Sequence, residues 1–296
     1  MSKKIKVEFY IVKLQGNGSV TFESIVDTVG RSTNDASRTI DINHSPIRLH
    51  ESGDYSNFCH GDMVRIRMDE FPIVASQDGD MEPIDLDDDE GLGEETAFLY
   101  QIPTKVLMLQ KNQYGVSAPS FAKYFQQKSD VQIQLEPVMQ GDAVARMSTM
   151  QRIKNFKVSI AQTNKMTNLQ GQDMAVDEVI NLSRHFHSDS IDIEVSMGKK
   201  KDRSLTIENV INTAKTFFNH ANIQQLGDIK AITISGDSEN GDHEVLNLLD
   251  DWIKESIEID PIDIRRIEYK ERAQALRDSW ENRRDQLEKM FLPQNP

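Results

Sequence analysis

The sequence predicts an α+β protein of two domains, with mixed or antiparallel sheets, packed helices and a long helix near the carboxy-terminal end. Three observations carry that expectation. In the first half, short runs alternate apolar and polar residues with the period of a half-buried strand. From about residue 150, strand-like and helix-like patterns take turns, the order expected when helices cover a sheet. After Pro261 the apolar spacing settles at three, four and seven, the mark of one long helix.

Ile5, Val7, Phe9 and Ile11 alternate with Lys4, Lys6, Glu8 and Tyr10 and predict the first strand. Glu8 and Lys13 interrupt the apolar run, so this stretch reads as a strand rather than a signal peptide. Asn17-Gly18 breaks it, and Phe22, Ile25, Val26 and Val29 predict a short helix stopped by Gly30. Met63–Met68 alternates again, with Val64, Ile66 and Met68 on one face, Arg65 and Arg67 on the other, and Phe71-Pro72 at its end. Ala97–Tyr100 and Val106–Gln110 pair as a hairpin across Pro103. Ser117 or Ala118 caps a helix with Pro119 in its first turn, where a missing N–H does no harm. Phe121, Tyr124 and Phe125 form its apolar stripe, and Val131, Ile133 and Leu135 form the next strand, closed by Pro137.

The second half reads as strand Phe156–Ile160, helix Met174–His187, strand Ile191–Met197, helix Ile207–Ala221 and strand Ile229–Ile234. Such a βαβαβ order resembles ferredoxin-like or related α+β layers. Val245–Leu249 and Ser256–Asp260 are further strand candidates for the same sheet. Ala273, Leu276, Trp280, Leu287 and Phe291 form the stripe of the last helix, which would be on the order of 40 Å long over 263–291. The expected organisation is a sheet-rich domain at 1–148, a βαβαβ-type domain at 149–260, and the helix at 261–296. That helix has two readings: packing across its own domains, or a dimer arm carried by Trp280 and Phe291.

Composition bounds the function. The chain has 296 residues, 38 % of them apolar and 28 % charged, which suits a globular protein with two cores. No apolar run approaches the roughly 20 residues that a membrane-spanning helix needs. A single cysteine, Cys59, leaves no intramolecular disulfide and fits a reducing compartment, so the expected location is cytoplasmic. The net charge of −14 is mostly local, because residues 78–95 carry ten acidic side chains and no basic one. Asp85, Asp87, Asp88, Asp89 and Glu90 stand at its centre as a solvated loop or a partner surface. A calcium loop starting at Asp85 is excluded, because loop positions six and twelve hold Glu90 and Thr96 in place of glycine and glutamate.

Catalytic patterns are sparse. Cys59 and His60 are adjacent, and neighbours in a strand point to opposite faces. His185 and His187 are two apart, the wrong spacing for chelation from one helix face. Gly16-Asn17-Gly18 lacks the lysine and hydroxyl residue of a phosphate-binding loop. Asp237, Glu239 and Asp242 read as a polar turn, with a Mg²⁺-dependent nuclease as the alternative. No cofactor, resident metal or catalytic residue is expected. Among basic features, the run Lys199, Lys200, Lys201 and Arg203 joins a strand to a helix and suits sequence-independent contact with phosphates. No helix-turn-helix and no aromatic-plus-basic pattern for single strands is present.

The runs DDDEGLGEETAFLY (87–100), VLMLQKNQYGVSAPSFAKYF (106–125) and VQIQLEPVMQG (131–141), followed by the strand at 157–160, share segment order and spacing with a known family. They resemble the middle of the RexA-like exclusion proteins of lambdoid phages and related prokaryotic defence-associated proteins. IDIEVSMGKKKDRSLTIENVINTAKTFF (191–218) is similar to a strand, lysine-rich loop and helix of that family. The likeness covers roughly residues 85–235. It implies a fold like that of the ring-forming recombination inhibitor RdgC and a homodimer that binds double-stranded DNA without sequence preference. It also implies a membrane-protein or effector partner in phage exclusion, with Lys199, Lys200, Lys201 and Arg203 on DNA phosphates. The acidic segment departs from that pattern, since it repels DNA at low salt. The resulting expectation is a non-enzymatic phage-exclusion protein that binds duplex DNA. The alternatives are a protein-interaction module, whose acidic segment meets a basic partner, and the metal-dependent nuclease.

Overall fold

The first strand, β1 (Lys3–Gln15), buries Ile5, Val7 and Phe9 as the alternation predicts, but Tyr10 and Val12 of the opposite face are buried too, so its middle is covered on both faces instead of half-buried. The computed structural model describes residues 2–15, 20–32, 34–69, 71–140, 150–161, 171, 173–198, 203–223, 229–238, 241–248, 252–263 and 265–292. The chain divides into two units, residues 1–136 with 254–296, and residues 137–253. The architecture is α+β with antiparallel sheets and a long carboxy-terminal helix.

In the first unit, α1 (Phe22–Gly30) starts where Thr21 Oγ1 accepts from the Ser24 N–H and Ser24 Oγ accepts from the Thr21 N–H, a reciprocal cap. It is followed by α2 (Asp35–Arg38), β2 (Ile40–Ile42), β3 (Ser45–Tyr55) and β4 (Phe58–Arg67). Then come two short strands, β5 (Ile73–Ala75) and β6 (Met81–Pro83), before β7 (Leu92–Gln101) and β8 (Val106–Lys111). The predicted hairpin forms with Phe98 opposite Leu109 and Tyr100 opposite Leu107. Ser117, rather than Ala118, caps α3 (Ala118–Ser129), which leads into β9 (Gln132–Pro137). With a strand from the far end of the chain, β14 (Lys254–Ile259), the eight-stranded sheet runs β14-β1-β8-β7-β4-β3-β2, with β9 also on β1.

Alternation along the central strands decides what each face meets. Phe98 and Tyr100 turn towards α1 and α3: Phe22 meets Tyr100 edge-on at 5.0 Å, and Phe98 meets Phe121 at 5.1 Å. The buried Tyr124 hydroxyl is satisfied, donating to the Arg38 carbonyl at 2.6 Å and accepting from the Leu49 N–H at 3.0 Å. Phe58, His60 and Asp62 turn the other way, to the last helix, α6 (Tyr269–Phe291).

Two sequence expectations are corrected here. The strand expected at 256–260 to extend the second sheet is β14 (Lys254–Ile259), and it pairs with β1, Lys3 opposite Ile259 and Val7 opposite Glu255. It therefore belongs to the first unit, as does the helix expected as a separate segment at 261–296. That helix begins at Tyr269 and is about 35 Å long by its 23 residues. Of the two readings of that helix, packing within the chain or a dimer arm, Trp280 takes the first: it is 2 % exposed and sits edge-on to Phe58 at 5.8 Å. Burial of a large aromatic ring outweighs its display, so Trp280 is committed to its own chain. Phe291 is half-buried.

The second unit holds β10 (Arg152–Ile160), α4 (Met174–Phe186), β11 (Ile191–Ser196), α5 (Ile207–Ile223), β12 (Ile229–Asp237) and β13 (His243–Asn247). Its four-stranded sheet runs β11-β10-β12-β13, all antiparallel. The strand–helix alternation is as expected, and β13 extends the sheet. Phe156, Val158, Ile160, Ile232 and Ile234 bury its core face. At the β10–β12 crossing, a Cβ on Gly236 would lie 1.9 Å from the Arg152 carbonyl oxygen, so only glycine allows this approach.

Candidate functional site

The sequence marks two surfaces, and the structure describes them unequally. Lys199, Lys200 and Lys201 lie outside the described residues, and Arg203 is exposed. The acidic residues Asp85, Asp87, Asp88, Asp89 and Glu90 are all described and all exposed.

Between the end of β4 and the start of β7, the chain builds a structure that the sequence reading treated as loop. β5 and β6 pair antiparallel, Val74 opposite Glu82 and Ala75 opposite Met81. Their turn is closed by the Ser76 N–H donating to the Asp80 carbonyl at 3.0 Å and the Asp80 N–H donating to Ser76 Oγ at 3.3 Å. Gly79, at φ +120°, takes the turn position that other residues rarely adopt. A second turn follows, where the Glu90 N–H donates to the Asp87 carbonyl at 2.9 Å and the Asp87 N–H donates to Glu90 Oε2 at 3.1 Å. Phe71, Ile84 and Leu86 are half-buried.

The six residues of β5 and β6 are all exposed, with Ile73 at 55 %, Val74 at 57 % and Met81 at 69 %. A lone two-stranded ribbon is marginally stable, and neither of its outer edges is paired with another strand among the described residues. It therefore combines apolar side chains with free backbone donors and acceptors, the chemistry of strand addition. Ile73, Val74 and Met81 are the functional candidates that the sequence reading missed. Asp78-Gly79 beside a β-branched run was the signal that could have found them.

The electrostatics divide the ten acids. Glu94 and Glu95 lie in β7 and face cations: Glu94 is 3.7 Å from Arg67, and Glu95 is 2.8 Å from Arg266 and 3.2 Å from Arg272. The other eight, Asp78 to Glu90, form no ion pair among the described residues. Eight uncompensated charges on one projection create a field that attracts cationic surfaces.

The remaining chemical candidates are dispersed. Asp237 is held by Lys154 at 2.6 Å, with Arg152 at 4.0 Å and the His243 ring at 3.8 Å; the Lys154 hydrogen bond first, and then the charges of Lys154 and Arg152, keep its carboxyl below the usual range. Asp242 is exposed, and Glu239 lies outside the described residues. Among the described residues no group of three His, Cys, Asp or Glu side chains is placed to hold a metal ion. Cys59 is buried, and burial raises its thiol well above the usual range. His60 points to Tyr269 instead of to the thiol. His187 caps α4 in the left-handed region at φ 50°, with His185 exposed nearby. Of the other basic residues noted in the sequence, Arg65 donates to Ser45 Oγ at 3.1 Å and to the Tyr114 carbonyl at 3.4 Å. No described helix is long and apolar enough to cross a membrane.

The chain belongs to the DUF6731 family, a family of unknown function whose model matches residues 1–287. None of the curated proteins matches it.

Proposed function

We propose that this protein is a non-catalytic interaction module that presents the β5–β6 hairpin and its carboxylates to a basic protein partner. One observation carries the reading: Ile73, Val74 and Met81 are more than half exposed on a ribbon whose surrounding acids have no cation of their own. Carboxylates steer a cationic partner to the ribbon, and the apolar side chains and open strand edges supply short-range contact. The test compares the whole protein with two variants, Ile73→Ser/Val74→Ser/Met81→Ser and Asp87→Asn/Asp88→Asn/Asp89→Asn. The probe is a peptide of alternating lysine and valine. The reading expects the first variant to lose binding at any salt, and the second to lose mainly its low-salt component. Equal binding by all three proteins removes the hairpin from the function.

A second reading follows from the RexA-like resemblance: a homodimeric, cytoplasmic phage-exclusion protein that binds duplex DNA through phosphates. One observation favours it, since Arg203 is exposed and forms no ion pair among the described residues. A random-sequence duplex titrated across a salt series separates the two. Steeply salt-dependent binding that Lys199→Glu/Lys200→Glu/Lys201→Glu abolishes favours the DNA reading. Absence of binding at low salt removes it.

A further inference from the structure

The second unit contains a cleft that neither reading uses. On the β11 side, α4 leaves the inner face of the sheet partly uncovered, and a cleft of about 780 Å³ opens between them. Phe156 and Val158 of β10, Ile193 and Val195 of β11, Val179 and Leu182 of α4 and Phe217 of α5 line it. Val195 and Leu182 are each 46 % exposed, so water touches apolar walls that a bound molecule would cover. Wells of this size with few polar groups are the form that small-molecule sites take.

The polar residues of the lining restrict the occupant. Among the described residues of the lining, Glu178 is the only carboxylate and there is no lysine or arginine. Glu178 is exposed and forms no ion pair among the described residues. Among these described residues an anionic head group meets no lysine or arginine, whereas an ammonium meets Glu178. Asn181 and Asn209 supply neutral hydrogen-bonding groups beside it. We infer that this cleft binds an apolar molecule carrying an amine, its hydrocarbon body against β10 and β11 and its ammonium at Glu178. The site is independent of the hairpin, which belongs to the first unit.

The test titrates the whole protein with dodecylamine, dodecanol and dodecanoate below their aggregation concentrations, by calorimetry with light scattering on the same samples. Two exposed positions supply variants that leave the fold intact, as melting curves would verify. Val195→Trp fills the cleft, and Glu178→Gln removes its charge. The expected result is one dodecylamine per chain, bound about fivefold more tightly than the alcohol, as a partly exposed charge pair allows. Val195→Trp abolishes binding, and Glu178→Gln brings amine and alcohol together. Three results overturn the inference: no saturable binding of any probe, dodecanoate binding as well as the amine, or binding unaffected by Val195→Trp. A mass that falls from dimer to monomer in Val195→Trp assigns the cleft to a second copy of the chain and overturns it equally.

Discussion

Arg272 and Asp62 stand 210 residues apart in sequence and form a bidentate ion pair in the core, both bonds 2.7 Å long. Arg272 is 2 % exposed and Asp62 1 %. Asp62 lies on the face of β4 that also carries His60, and Arg272 lies one turn into α6 after Tyr269. The i, i+2 spacing of the strand thus meets the i, i+3 spacing of the helix, so two polar contacts dock the helix in one register. Glu95 at 3.2 Å from Arg272 completes the set.

Breaking this pair from one side should cost about 3–5 kcal/mol, because the surviving charge stays buried without its partner. Burial already pushes the Asp62 carboxyl above its usual range, against the pull of the two Arg272 hydrogen bonds. In Arg272→Met that pull is gone, and the folded-state pKa rises further above the unfolded value of about 3.9. The folded chain then binds more protons than the unfolded chain between those two values, so stability falls as pH rises through the window. Denaturant midpoints of Arg272→Met and Arg272→Met/Asp62→Asn between pH 4 and 8 check this. Their difference should widen with pH, and a constant difference would contradict the assignment.

Gly236 offers a local test of the second unit. With its added Cβ 1.9 Å from the Arg152 carbonyl, and backbone atoms unable to swing away, Gly236→Ala must displace β10 from β12. The expected cost is about 1–3 kcal/mol, as for overpacked sites. Hydrogen exchange read along the chain should show faster exchange over 152–160 and 229–237, with β7 and β8 of the first unit unchanged. Uniform acceleration across both units would mean that they unfold as one.

How much of this was legible beforehand depends on where the information sits. Phe22, Ile25, Val26 and Val29, or Phe121, Tyr124 and Phe125, announce a helix because their partners lie on one face at helical spacing. β3 did not announce itself: only Ile47 and Leu49 are buried in a strand that otherwise reads Ser, Pro, Arg, His, Glu, Ser, Gly and Asp before an exposed Tyr55. β14 was legible as a strand and misplaced as to sheet, because its partner β1 lies some 250 residues away and no local pattern encodes that pairing. Trp280 was legible as part of an apolar stripe, while the side that Phe58 would take was not. At the candidate site the charge was plain in the composition. The ribbon that displays Ile73, Val74 and Met81 was hidden because its strands are only three residues long.

Cys59 should behave as an inert thiol in the native protein. It is 1 % exposed, and burial together with the nearby Asp54 carboxylate holds it in the protonated form. Alkylation needs the thiolate and access to it. Iodoacetamide at pH 8 should therefore leave Cys59 unmodified over hours in native buffer and label it completely in denaturant, as read by intact mass. Because Cys59 lies beneath α1 in the first unit, variants that weaken the Asp62–Arg272 pair should raise its native labelling rate in proportion to unfolding. Rapid labelling of the unaltered protein would show that this face of the sheet opens on its own.

The imidazole of His60 lies 2.6 Å from the Tyr269 hydroxyl, and its pKa is lowered, first by burial and then by the Arg277 cation. With the ring proton on Nε2, Nδ1 accepts from the Tyr269 hydroxyl, an arrangement open to the neutral ring and closed to an imidazolium, which would donate to the tyrosine oxygen instead. In the unfolded chain His60 titrates near 6.5. Between the depressed folded value and 6.5 the unfolded chain holds more protons, so stability rises with pH there. Its contribution is complete above 6.5 and lost as pH falls below it. The Cε1 proton of His60, followed by NMR, should titrate below 6.5 in the native protein and move upward in Tyr269→Phe, which should also lose about 1 kcal/mol at pH 8 from the missing hydrogen bond. His60→Gln should flatten the stability profile between pH 5 and 7, since the group that takes up the proton on unfolding is gone. If the profile keeps its slope in His60→Gln, another group carries the dependence. If the midpoint in Tyr269→Phe stays where it was, burial and Arg277 alone set the ring, and the bond to Tyr269 only positions it.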